Sequence, residues 1–140
     1  MEDDVILKTI ARVLVPFLEL FGLYVTVHGD LTPGGGFQGG VLLGIGVIVY
    51  TLAFGVSDTR KKITSGIRDT LSSLGVLIYV MIGILCILFG GHFLEYSAIP
   101  LPVGMAERNA LLILGIELGV GITVMSVVIS IFLDLNQEER

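Results

Sequence analysis

Cysteine, tryptophan and charge are all scarce in this chain. Cys86 is the one cysteine in 140 residues, which excludes an internal disulfide, a CxxC pair and iron–sulfur ligation by this chain alone. Redox chemistry around the protein is therefore expected to run on other chains. Tryptophan is absent, so a cation cavity walled by indole rings, the best aromatic binders of cations, is excluded too. Asp, Glu, Lys and Arg together make up 15% of the residues, against about 25% in soluble domains. The opening residues, MEDDV, are acidic where a secretory signal is basic, so the first apolar segment is expected to be retained.

Apolar residues fill the space that charge leaves. Hydrophobic residues reach 54% and mean hydropathy is +0.94, a membrane composition. Four segments are long enough to cross roughly 30 Å of hydrocarbon: Val5–Val27, Phe37–Val56, Leu71–Gly91 and Ala110–Leu133. They leave three loops, no room for a soluble domain and no long-period repeat. Residues 1–140 therefore read as a single all-α membrane domain, a bundle of four transmembrane helices with a glycine-rich break between the first two.

The net charge of -5 matters less than where the basic residues fall. Arg60, Lys61, Lys62 and Arg68 lie between the second and third spans, Lys8 and Arg12 near the start of the first, and Arg140 at the end. With four spans, all seven share one side and only Arg108 is opposite. The positive-inside rule then predicts a multi-pass protein of the cell membrane with both termini cytoplasmic.

One stretch breaks the apolar pattern: HGDLTPGGGFQGG, His28–Gly40. Gly34, Gly36 and Gly39 satisfy G-x-G-x-x-G, and Asp58 follows. A dinucleotide fingerprint, however, needs a strand before the glycines and a soluble βαβ unit around them. Here an apolar span precedes and another follows, and no Gly-Lys-Ser/Thr completes a phosphate loop. Thr32-Pro33 is placed to stop one element and start the next, since proline suits the first helical turn. The glycines then run on into the second span, beyond what a connecting turn needs. Irregular backbone at membrane depth is tolerated only inside protein or against a watery cavity. Pro33, Gly34, Gly35, Gly36, Phe37, Gln38, Gly39 and Gly40 are therefore read as a structural motif that packs against protein, with glycine permitting close helix approach.

The run PGGGFQGGV, Pro33–Val41, set between two spans, resembles the MrpB (MnhB) subunit family of multisubunit sodium/proton antiporters. In that family a P-G-G-G-F-x-G-G run ends the first span and begins the second, and the four-span layout matches over nearly the whole chain. The resemblance implies a non-catalytic membrane subunit without a cofactor of its own, with Na+ and H+ as the transported ions. Its partners would be the lipid bilayer and other antiporter-module membrane subunits, with no nucleic acid. Such subunits occur in stand-alone Mrp antiporters and in archaeal respiratory complexes, where the module is joined to a membrane-bound hydrogenase or a ferredoxin-oxidising arm. One departure stands out. The bacterial pattern has Gly-His-Asn just ahead of the proline, whereas here the run is Gly29-Asp30-Leu31 with the histidine at His28. That weakens a proton role for the motif histidine and leans towards the archaeal complexes.

Polar residues inside the spans are the other candidates. On a helical wheel Lys8, Arg12, Glu19 and Thr26 fall within about 40° of one another, with Gly22 close by. Pro16 in the same span removes one backbone donor and should kink the helix. Lys8 and Arg12 can also snorkel to the interface, but Glu19 lies too deep for that. Glu117 lies about a third of the way into the fourth span. An acid at mid-membrane costs on the order of 3 kcal/mol, so each needs a partner, a proton or water. Glu19, Glu117, Lys8 and Arg12 are therefore the ion-path candidates, Glu117 being expected to face a neighbouring subunit or a hydrated path.

Small residues supply the packing faces. Gly40, Gly44, Thr51 and Gly55 line one side of the second span; Ser72, Tyr79, Gly83, Cys86 and Gly90 line one side of the third. In the fourth, Gly115, Gly119, Ser126 and Ser130 form a stripe with Glu117 and Gly121 about 180° away. Both sides of that helix are thus expected to want protein, more than four helices would readily supply. His28, Asp30, His92 and Glu95 lack any metal-ligand spacing, so no metal is expected. Asp134, Glu138 and Glu139 read as an acidic tail.

Two other functions fit four spans. A self-sufficient small multidrug transporter also carries a glutamate in its first span, but its dual topology needs balanced basic residues, and it uses tryptophan. A purely structural membrane spacer needs neither acid.

Overall fold

The fold comes from a computed structural model, which describes residues 2–31 and 33–136. The readings placed on Thr32, Glu138, Glu139 and Arg140 fall outside the described residues. The described chain is helical: α1 (Glu2–Val27), α2 (Gly36–Phe54), α3 (Val56–Lys62), α4 (Ser65–Leu88), a 3-10 turn (Tyr96–Ala98) and α5 (Met105–Leu135). Four of these helices, all but α3, are long and apolar enough to cross a membrane. The spans expected from sequence are all present with shifted ends. α4 starts six residues before Leu71 and α5 five before Ala110, because polar first turns continue each helix beyond its apolar part.

Local chemistry sets the breaks. Gly55, at φ 102°, ends α2 by donating its N–H to the Thr51 carbonyl at 2.8 Å. Helical spacing puts Gly55 on the packing face of the second span, but it meets no neighbour there and is the hinge into α3. That short helix carries Asp58 in its first turn and Arg60, Lys61 and Lys62 in its last, the order its dipole favours. Thr64 caps α4, its hydroxyl accepting the Ile67 N–H at 3.4 Å.

The spanning helices form an open row in the order α1, α2, α5, α4, in which α1 also touches α5, and among the described residues α1 and α4 share no substantial packing. Small residues hold the row together. Gly36, Gly40 and Gly44 of α2 lie on α5, against Glu117, Gly121 and Val128. A Cβ at Gly40 would stand 2.6 Å from the Gly121 carbonyl oxygen. Gly39 lies on Gly22 and Thr26 of α1; Gly75 of α4 lies on Gly119 and Thr123 of α5. The large apolar side chains point away: Phe17, Leu20, Phe37, Leu52, Leu88 and Ile131 are all more than half exposed. This is membrane packing, with small residues between helices and large ones turned to the surroundings.

The row corrects one inference from sequence. The two opposed faces of the fourth span both find partners within the chain, since α5 sits between α2 and α4. Gly44 lies against Val128, Gly115 against Ile82 and Gly119 against Gly75 and Ile78, whereas Gly83 lies against no other helix. It receives the ring of Phe93 from the loop that follows, and Leu94, at φ 62°, turns the chain there.

At the end carrying α3, Arg68, expected in the loop between the second and third spans, lies in the first turn of α4 and is buried. It donates to the Ser130 carbonyl at 3.5 Å and to Asp134 at 3.4 Å, while Arg60 donates to the Leu133 carbonyl. These contacts pin α3 and α4 to the end of α5. At the opposite end, Glu95 accepts the His92 N–H at 2.8 Å, and that bond holds its carboxyl below the usual range. Arg108 donates to the Ile99 carbonyl at 3.2 Å.

Candidate functional site

The glycine run and Glu117, 81 positions apart in sequence, meet. Pro33 lies in a bend and does not open the helix as its chemistry suggested. Gly35 is the N-cap and α2 starts at Gly36. Gly35 adopts φ 106°, a region costly to any residue with a Cβ. The space there is taken as well, because the Glu117 carboxylate fills the position where a Gly35 Cβ would stand. At Gly36 the backbone of α5 itself blocks a side chain, with the Glu117 carbonyl carbon 2.8 Å from an ideal Cβ.

The Glu117 carboxylate accepts the Gly36 N–H. The first N–H groups of a helix have no partner within it and carry the positive end of its dipole, so a carboxylate is the fitting cap. Gly29, from the other limb of the loop, also packs on the Glu117 carboxylate. One acid thus ties together the end of α1, the start of α2 and the middle of α5. Gly35, Gly36, Gly39 and Gly40 are buried by this arrangement, whereas Pro33, Gly34, Phe37 and Gln38 are exposed. The motif packs through one side only.

Depth gives the site its interest. Gly115 touches Ile82 and Gly119 touches Ile78, so Glu117 lies level with the middle of the last turns of α4, roughly 12 Å short of Leu88 at 1.5 Å per residue. α5 itself begins twelve residues before Glu117, roughly 18 Å further out. The α1–α2 connection is therefore recessed below the tips of α4 and α5. Tyr96, on the turn between those tips, feels the site: burial first, then Cys86, Tyr79 and Glu117, push its phenol above the ordinary range.

The other candidates lie apart from this site. His28 stacks on Tyr24 at 4.2 Å and bonds the Tyr24 carbonyl at 3.0 Å. Lys8 and Arg12 are exposed, and Arg12 sits 5.8 Å over the Phe54 ring near the α3 end. Glu19 is half-buried against Gly46 on α2. The four ion-path candidates thus do not form one cluster. Sequence reasoning missed Gly29 as a contact of Glu117; its place beside the glycine run was the available signal.

A family model described as "Domain related to MnhB subunit of Na+/H+ antiporter" matches residues 6–130, which span all four membrane-length helices. The chain belongs to the MnhB family. Among its relatives, "Putative antiporter subunit mnhB2" of Staphylococcus haemolyticus (strain JCSC1435) is 34% identical over 137 residues, covering 96% of each chain. The protein of the same name from Staphylococcus aureus (strain MRSA252) is 31% identical over 137 residues, again 96% of each. The MnhB match takes in both the glycine run and Glu117.

Proposed function

We propose that this chain is a non-catalytic membrane subunit of a multisubunit sodium/proton antiporter module, with both termini cytoplasmic. Glu117, seated in the glycine loop, is its contribution to the ion path. The observation that supports this most is a titratable carboxylate capping a helix that starts below the tips of its neighbours. Exposed irregular backbone at such depth, as at Pro33 and Gly34, calls for a cover of protein or water. A neighbouring subunit or a hydrated vestibule supplies either one. The displaced histidine favours an archaeal respiratory complex, with a membrane-bound hydrogenase or ferredoxin-oxidising arm as a further partner.

Gentle solubilisation of the native membranes, with identification of the co-purifying chains, tests this reading. Other antiporter-module subunits are expected, with hydrogenase subunits if the archaeal placement is right. Recovery of the chain alone as a functional transporter would favour the self-sufficient reading and sink this one. Orientation has its own test. Cysteines placed at Asp58 and Ser97, both exposed, in a Cys86→Ser background, should label from opposite faces of sealed membranes, Asp58 from the cytoplasmic face. Labelling of both from one face would overturn the topology.

A further inference from the structure

Within its span, Glu19 is an acid that meets no polar partner among the described residues. Its carboxylate rests against Gly46, and among the described residues no hydrogen bond or ion pair reaches it. It lies seven residues past Arg12 and eight short of Val27, well inside the helix. α1 is also the end of the row, so its side away from α2 is open. Pro16, Leu20 and Leu23, beside Glu19, are all exposed.

We propose that the α1–α2 edge is the docking surface for a transmembrane helix of a different subunit, which brings a lysine or arginine to Glu19. Charge complementarity carries the argument, because ionisable groups inside a membrane pair with one another or face water. Water is the poorer choice here. The exposed side chains next to Glu19 are Pro16, Leu20 and Leu23, and the nearest exposed polar one on that stripe, Arg12, is about two helical turns away. A second copy of this chain is poorer still. In the same membrane orientation, with the axis along the membrane normal, it would set Glu19 against Glu19. Its nearest basic residue, Arg12, would lie roughly 10 Å away in depth and already sits over Phe54. Pro16 adds a second acceptor on the same helix, since it cannot donate to the Arg12 carbonyl.

The proposal rests on the chain being one subunit of an assembly, and its test separates the two ideas. A photoreactive benzophenone side chain is placed at Leu23, beside Glu19, and in a second variant at Ile131 on the exposed side of α5; the whole complex is irradiated in native membranes. The Leu23 probe is expected to yield an adduct with a different subunit, in a span that carries a lysine or arginine. Glu19→Lys should abolish that adduct and release the chain from the purified complex. Replacing the partner's basic residue by glutamate should then restore both. Adducts at Leu23 with lipid or a second copy alone, or a Glu19→Lys complex that assembles and crosslinks like the parent, would overturn the docking surface. Protein adducts from Ile131 but not Leu23 would sink it while leaving the subunit reading intact. No protein adduct from either probe would sink both.

Discussion

Gly36→Val is expected to remove this chain from its complex. An ideal Cβ at Gly36 already falls within van der Waals distance of the Glu117 backbone, and backbone cannot rotate aside as a side chain can. Overpacking a tight contact costs roughly 1–3 kcal/mol and occasionally more; here the only relief is to part α2 from α5. Separation also undoes the contacts of Gly40 on Gly121 and Gly44 on Val128, which follow along the same face. Retention of the chain after affinity purification through another subunit should therefore fall to a trace, together with exchange activity. Ser97→Val, in the exposed loop at the same end, should leave both near the parent level. Equal retention of the Gly36→Val chain would mean that the close approach of α2 and α5 is not what holds the row.

The second large effect belongs to Glu117. Glu117→Ala removes the acceptor of the Gly36 N–H, and an unsatisfied buried donor costs about 1–3 kcal/mol. It also empties the space that the carboxylate fills between Gly29 and Gly35. Glu117→Gln keeps the shape and an acceptor oxygen. It gives up only the charge at the α2 N-terminus, an interaction of roughly 0.3–1 kcal/mol, up to about 2 where partly buried. The order of retention in the complex should be parent, then Gln close behind, then Ala well below. Heating the detergent-purified complex and following loss of this chain reads that order directly. Ala equal to Gln would contradict the capping role.

Much of this was legible along the chain, because each span declares itself by length and apolar content. Helical spacing pairs Gly40 with Gly44 and Gly115 with Gly119 without any tertiary knowledge, but it puts Gly55 and Gly83 on packing faces too, where one is a hinge and the other meets a loop ring. What the spacing does not carry is which face meets which. Glu117 and Gly36 each stood out alone, yet nothing local to either names the other as its partner. The same gap misjudged α5: two packing faces suggested a partner subunit, whereas the inner position in the row satisfies both within the chain. Arg68 shows the limit from another side. Counted among loop cations, it is buried because α4 begins three residues before it, which turns its side chain onto Ser130 and Asp134. Pro33 erred for a conformational reason. Proline fits a first helical turn, but the φ 106° of Gly35 places the start of the helix beyond it.

The central claim is that the glycine run and Glu117 form one unit whose exchangeable charge serves cation transport. Sodium-dependent proton movement in inverted membrane vesicles holding the Glu117→Gln complex tests it most directly, with assembly checked on the same vesicles. The claim predicts an assembled complex whose exchange falls to that of vesicles lacking the module, with Glu117→Asp keeping a measurable part of it. Full exchange by the Glu117→Gln complex would contradict it and leave Glu117 a structural cap on α2.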